Sequence, residues 1–343
     1  MHSTLAGLGL TIPVLAAPMA GGPTTAKLVV AAAQAGSLGF VAAGYKPPDV
    51  LAEQIAEVRS AGVQFGVNVF APTPVPVDAD AYAQYRRTIA PEAERYQVDL
   101  ERVPITEDND YWQEKVDLLL ANPVPVVSFT FGVPEASVIA ALQKAGSVVA
   151  QTVTSAPEAQ LATEREVDLL LVQASAAGGH SGTLTPERLP AEVPLPQLLK
   201  EVATVTSLPL IAAGGLGTAD DVAAALGAGA VATAVGTALL CSQESGISAP
   251  YRKALAEAAG RTTVVTRAFT GRPARGLTNV FTDRYTAVAP PGYPALHHLT
   301  SPIRKAAAAA GDPERINLWA GTGYRHTRSE PAGRILAGLA AKA

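Results

Sequence analysis

One histidine in this chain sits where a loop can aim it at a ligand. His180 lies in Ala177-Gly178-Gly179-His180-Ser181-Gly182. The glycines on either side free the backbone to bend and carry the ring outward. Imidazole changes charge near neutral pH, so it can donate a hydrogen bond to an anion or, when neutral, accept a proton. His180 is therefore the candidate catalytic residue. His2 is terminal, His297 and His298 fall in a Pro-rich stretch and His326 adjoins Arg325, so these four read as solvent or packing residues.

Two other stretches offer bare backbone. Ala213-Gly214-Gly215-Leu216-Gly217-Thr218 and Gly236-Thr237-Ala238-Leu239 each follow a short apolar run. Missing side chains let amides approach an anion, and the helix expected after Thr218 points its positive end at it. One such loop is usually a tight turn; two at consecutive strand ends point to a phosphate cup. The chain has no Gly-x-x-x-x-Gly-Lys and no Gly-x-Gly-x-x-Gly after its first apolar run, so triphosphate cleavage and a Rossmann dinucleotide site are not indicated. A mononucleotide with one phosphate suits the loops better. Flavin mononucleotide (FMN) also accounts for Asn68 and Gln173, amides closing otherwise apolar runs, although either could instead satisfy a loop carbonyl. Met19, in Ala17-Pro18-Met19-Ala20-Gly21-Gly22, can lie against a flat ring or fill core.

These residues need a frame to bring them together. Short apolar runs followed by Ala-rich amphipathic stretches recur to about residue 260, with candidate strands at 12–17, 38–42, 64–69, 124–130, 148–153, 169–174, 208–213 and 231–235. Near-continuous apolar strands are what a parallel sheet covered by helices requires. Eight of them fit an α/β fold of the closed (β/α)8 TIM-barrel type, which binds ligands at the C-terminal ends of its strands. Thr218 is a helix N-cap, with Asp220 and Asp221 in the first turn. The crossover between the third and fourth strands is long and polar enough to pass over the barrel mouth. Beyond residue 239 the strand rhythm is lost. The expectation is a barrel over 1–239, a smaller, mainly helical second domain over 240–319, and a return of 320–343 to the barrel.

Composition narrows the partners. Of 343 residues 48% are hydrophobic and 16% charged, enough apolar surface for a packed core. The net charge of −4 gives no broad cationic field for nucleic acid or acidic lipid. The single cysteine, Cys241, cannot form an internal disulfide and has no evident base beside it, so it reads as a small buried hydrophobe. No His-x-x-x-His or Asp-x-Asp spacing suggests a metal site. With no signal-peptide pattern and no long apolar run, a cytoplasmic protein without membrane contact is expected.

Taken together, Ala17-Pro18-Met19-Ala20-Gly21-Gly22, Gly66-Val67-Asn68-Val69, the Gly-Gly-His element, Ala212-Ala213-Gly214-Gly215, Val235-Gly236-Thr237 and Asn317-Leu318-Trp319-Ala320-Gly321 resemble the nitronate monooxygenase family. The resemblance implies an FMN-containing TIM barrel with a smaller second domain. It implies FMN contacts from Asn68, Gln173, Gly178, Gly217 and residues 236–239, with His180 as the active-site histidine. Its implied reaction is oxidation of an alkyl nitronate, such as propionate 3-nitronate, with dioxygen to a carbonyl compound and nitrite. The chain departs from the family pattern at Ala174-Ser175-Ala176, where members carry Gly and Glu, and at Thr322, where Gln is frequent. Two alternatives stand beside it. One is an FMN enzyme drawing electrons from NADH or NADPH, as related enoyl-acyl-carrier-protein and quinone reductases do; the other is a non-catalytic flavin-binding protein.

Overall fold

The computed structural model describes residues 7–343, so His2 lies outside the described residues. Strands β1 (Val14–Ala16), β2 (Gly39–Ala42), β3 (Phe65–Ala71), β4 (Val126–Phe131), β5 (Val148–Val153) and β6 (Leu169–Gln173) pair in parallel, in order. β7 (Gly179–His180) leaves the sheet; β8 (Leu210–Ala213) and β9 (Ala232–Val235) complete it, and β9 pairs back onto β1 to close the barrel. Each expected strand is present, with ends within two residues of the sequence reading. The continuity of apolar residues has a direct cause, because alternate side chains face opposite ways. Phe40, Val126, Ala150, Leu171 and Ile211 fill the barrel interior. Their neighbours Val41, Val127, Val149, Val172 and Ala212 meet the surrounding helices.

The second layer is assembled differently. Helix Ala79–Arg95, in the long crossover after β3, contributes Tyr82, Tyr85 and Ile89 to a core shared with Phe269, Phe281, Leu296, Leu299 and Ile303. The crossover and the 240–319 segment thus bury one another. Besides helices Ala249–Ala256, Val280–Tyr285 and Ala295–Ala309, that segment carries β10 (Thr263–Thr266) and β11 (Ala274–Leu277). β11 pairs antiparallel with β10 on one side and with β7 on the other, setting Ala274 opposite His180. These two short strands were not read from the sequence. At the C-terminus, helix Ala332–Leu339 buries Ile335, Leu336 and Leu339 in the helix layer of the barrel. No helix among the described residues is long and apolar enough to cross a membrane.

Candidate active site

A cavity of about 1280 Å³ lies at the C-terminal ends of the barrel strands and extends under the second layer. Single ligand pockets are typically ~300–1,000 Å³, so it has room for a cofactor and a small substrate together. Met19, Asn68, Gln173, Gly178, Gly179, His180, Gly215, Gly236 and Thr237 all line it. Three candidate cofactor residues do not. Ala238 and Leu239 are buried in the barrel's helix layer. Gly217 is a packing glycine, since a Cβ there would stand 2.8 Å from Cδ2 of His326.

His180 is held by backbone and by side chain. β7 ties its main chain to β11, and its Nε2 lies 2.9 Å from the Thr270 hydroxyl. Nδ1 has no protein partner among the described residues. Phe131, Tyr293 and Trp319 crowd the ring, with centroids 5.8, 5.9 and 5.5 Å away. Burial, then the charges of Arg272 and Arg304, push its pKa down from 6.5 to about 3. The imidazole is therefore neutral at physiological pH, and Thr270 can accept from Nε2 or donate to it. In the second arrangement Nδ1–H is a donor free for an anion; in the first Nδ1 is an acceptor.

The shift has a consequence for folding. Above 6.5 the ring is neutral in both states and its contribution to stability is complete; between 6.5 and about 3 the unfolded chain takes up a proton that the folded chain refuses. Burial pushes His297 in the same direction. Stability is thus expected to fall as pH drops through this window. His180→Gln, compared with the parent by urea midpoints at about pH 7 and pH 4.5, should lose less; an equal loss would remove His180 as a cause.

The two amides differ in what they do. Asn68 Oδ1 accepts from Ser128 (2.9 Å) and Thr130 (3.0 Å), an arrangement that leaves the NH₂ group for other partners. Gln173 spends its amide on the loop, donating to the His180 carbonyl (3.2 Å) and accepting from the Gly182 amide (2.7 Å). It lines the cavity while setting the position of His180.

The glycine loops also divide. In the capping box that starts helix Ala219–Gly227, Asp221 Oδ2 accepts from the amides of Gly217 (3.0 Å) and Thr218 (2.8 Å). Those two donors, at the positive end of the helix, are thus already engaged by a carboxylate. The amides of Gly215, Leu216, Gly236 and Thr237 donate to no acceptor among the described residues, and all four residues line the cavity. Such bare amides on converging loops suit a phosphate monoester. With the room above them and the Asn68 NH₂ group, the donor set fits FMN.

Several wall residues carried no clear signal in the sequence. Tyr45 stacks on His297 with centroids 4.3 Å apart, and its hydroxyl lies 3.4 Å from that of Tyr293. His297 and His298 line the cavity as well, contrary to their reading as solvent or packing residues. Of the tyrosines in the C-terminal part, Tyr251 and Tyr293 reach the wall. Tyr285 instead donates to Glu92 (3.1 Å) and Tyr324 to the Arg261 carbonyl (2.5 Å). Arg272 is fully buried, lies 3.8 Å over the Phe131 ring and donates to the Thr183 carbonyl, bracing the loop that carries His180. Cys241 is buried.

Comparison with known proteins gives a consistent result. The family model described as nitronate monooxygenase matches residues 2–342. A probable nitronate monooxygenase of Staphylococcus aureus (strain Newman) is 35% identical over 336 residues, covering 97% of this chain and 94% of the relative. Among solved structures, nitroalkane oxidase from Streptomyces ansochromogenes superposes with a TM-score of 0.93 at 43% identity, covering 99% of this chain and 97% of the other. FabK from Thermotoga maritima gives 0.77 at 25% identity, covering 100% and 96%.

Proposed function

Because the chain belongs to the nitronate monooxygenase family and is an oxidoreductase, we propose that it holds FMN in this cavity and oxidises alkyl nitronates with dioxygen to a carbonyl compound and nitrite. The observation that carries the reading is the convergence, in one cavity, of four unengaged amides from the loops after β8 and β9 with a half-buried, neutral histidine. The amides of Gly215, Leu216, Gly236 and Thr237 would receive the phosphate, Met19 would lie against the ring system, and Asn68 would donate to its polar edge. FMN, when bound, supplies the redox chemistry; the protein supplies orientation and charge.

The protonation state of His180 favours nitronates over neutral nitroalkanes. A ring with a pKa near 3 is a weak base for removing a proton from carbon. In the tautomer in which Thr270 donates to Nε2 rather than to the Arg272 carbonyl (3.3 Å), the ring's Nδ1–H would instead be a fixed dipole for an oxygen that is already anionic. Arg272 and Arg304 add positive potential and no proton transfer. His180 therefore binds and orients the nitronate while the surrounding aromatic rings exclude water.

The test is spectroscopic. The purified protein should be yellow and should bleach on addition of propionate 3-nitronate under nitrogen, with oxygen uptake and nitrite release once air is admitted. A preparation that stays colourless after reconstitution with FMN overturns the reading. So does rapid anaerobic bleaching by NADH with no nitronate-dependent oxygen uptake.

A further inference from the structure

The segment that follows His180 forms neither helix nor strand from residue 181 to residue 194, yet side chains take up its polar backbone. Gln173 engages the His180 carbonyl and the Gly182 amide, and the Pro273 carbonyl accepts from the Ser181 amide (2.9 Å). Two buried charges take the next groups. Arg272, fully buried, donates through Nη2 to the Thr183 carbonyl, with a longer contact from Nε to the Ser181 carbonyl at 3.5 Å. Glu158, in the first turn of helix Ala156–Glu164 and 7% exposed, accepts at Oε1 from the Thr183 hydroxyl and the Leu184 amide, both at 2.8 Å. Its Oε2 accepts from the amide and the hydroxyl of Thr154. Four donors on two oxygens are the complement of an ionised carboxylate. Arg272 is charged as well, since burial lowers its pKa only to about 10.

The Thr183 carbonyl and the Leu184 amide belong to one peptide unit. Its oxygen meets a cation and its N–H an anion, so the peptide dipole lies between opposite charges in the sense that favours both contacts. Among the described residues no ion pair joins Arg272 to a carboxylate directly. A buried charge without compensation is costly, and here the compensation runs through the peptide. The guanidinium reaches the ring of His180 by a second route: it lies 3.8 Å over Phe131, which packs edge-to-face with the imidazole. Neither Arg272 nor Glu158 lines the cavity, so neither can touch a ligand there. We propose that Arg272 and Glu158 are positioning residues, a buried pair of opposite charges held apart by the 183–184 peptide, whose pull fixes the loop that aims His180 at the substrate. This rests on the function proposed above.

The experiment is a double-mutant cycle on the FMN-loaded enzyme with propionate 3-nitronate as substrate. Arg272→Met should lower kcat/KM by about 10- to 100-fold, the cost of a small misplacement of the group that orients the substrate, with FMN content near that of the parent. Arg272→Lys, which keeps the charge and a donor, should recover part of the loss. In a His180→Ala background Arg272→Met should cost less than about threefold, because no imidazole is left to aim. Glu158→Gln should follow the same pattern. A loss of equal size in both backgrounds would make the two residues structural only and overturns the proposal, as does a folded Arg272→Met enzyme with parental kcat/KM. If Arg272→Met does not fold, Arg272→Lys and Glu158→Gln carry the cycle under the same criterion. A second readout needs no turnover: amide hydrogen exchange in residues 180–184 should quicken in Glu158→Gln and in the Arg272 variant used, while the loops after β8 and β9 exchange as in the parent. If the parent oxidises no nitronate and exchange still quickens in both variants, the functional reading fails and the clamp on the loop stands; unchanged exchange removes the clamp.

Discussion

His180→Ala is expected to lower kcat/KM for propionate 3-nitronate by about 10²- to 10³-fold, the cost of removing one preorganised donor to an anionic oxygen, while FMN content stays near that of the parent. The separation follows from the position of the ring. Its backbone is held by β7 and β11, and its side chain by Thr270, so truncation leaves the loop in place. The unengaged amides proposed for the phosphate belong to other loops. The pH profile supplies the sharper check. With a pKa near 3 in the free protein, His180 is neutral from about pH 5 upward, so kcat/KM on a preformed nitronate should show no imidazole step between about pH 5 and 8. His180→Asn, which restores a donor without a titrating group, should recover part of the loss with an unchanged profile. A bell with a limb near pH 6.5 that disappears in both variants would instead make the residue a titrating base. Activity surviving intact in His180→Ala would remove it from the site.

The barrel was legible in the sequence because its strands are buried on both faces, which leaves a local record: a run such as residues 169–172 is apolar throughout. The second layer left no such record. Its core joins Tyr85 to Phe269 and Leu296, residues distant in the chain, and the Tyr285–Glu92 hydrogen bond spans 193 positions. β10 and β11 are four residues each and β7 only two, too short for a period of two to stand out. The glycine loops were legible as backbone that a ligand can approach. That Asp221 engages two of their amides was not, although its place in the first turn was evident. Helix capping and anion binding draw on the same donors, and which amides are left is decided only by the folded chain. His180 was legible as a residue on a flexible loop, whereas its protonation state depends on Arg272 and Arg304, which folding brings from far along the chain. His297 and His298 read as bystanders because nothing local marks the inner face of a cap helix.

The amide cup can be tested apart from the fold at Gly236, and Gly236→Val is expected to weaken FMN binding by about 10- to 100-fold with little change in secondary structure. Gly236 has φ −112° and ψ −61°, a conformation open to any L-residue. A Cβ there would meet Met19 at 3.4 Å to Cγ and 3.5 Å to Sδ, ordinary contact distances, so the backbone accommodates a side chain at its first atom. The added branches share the part of the cavity where Met19 lies and where the amides of Gly236 and Thr237 are unengaged. Its neighbours cannot make the same distinction. Gly215 has φ +78°, so a side chain there adds roughly 1–3 kcal/mol of backbone strain to any effect on binding. Gly217 lies beneath His326 and Gly323, so Gly217→Val should lower the melting temperature by disturbing the C-terminal return before it affects a ligand. FMN fluorescence titration of the two apoproteins, alongside their circular dichroism melts, separates the cases. A folded Gly236→Val protein that keeps FMN with parental affinity would mean that the phosphate lies elsewhere, and the loop after β9 would then be only a turn.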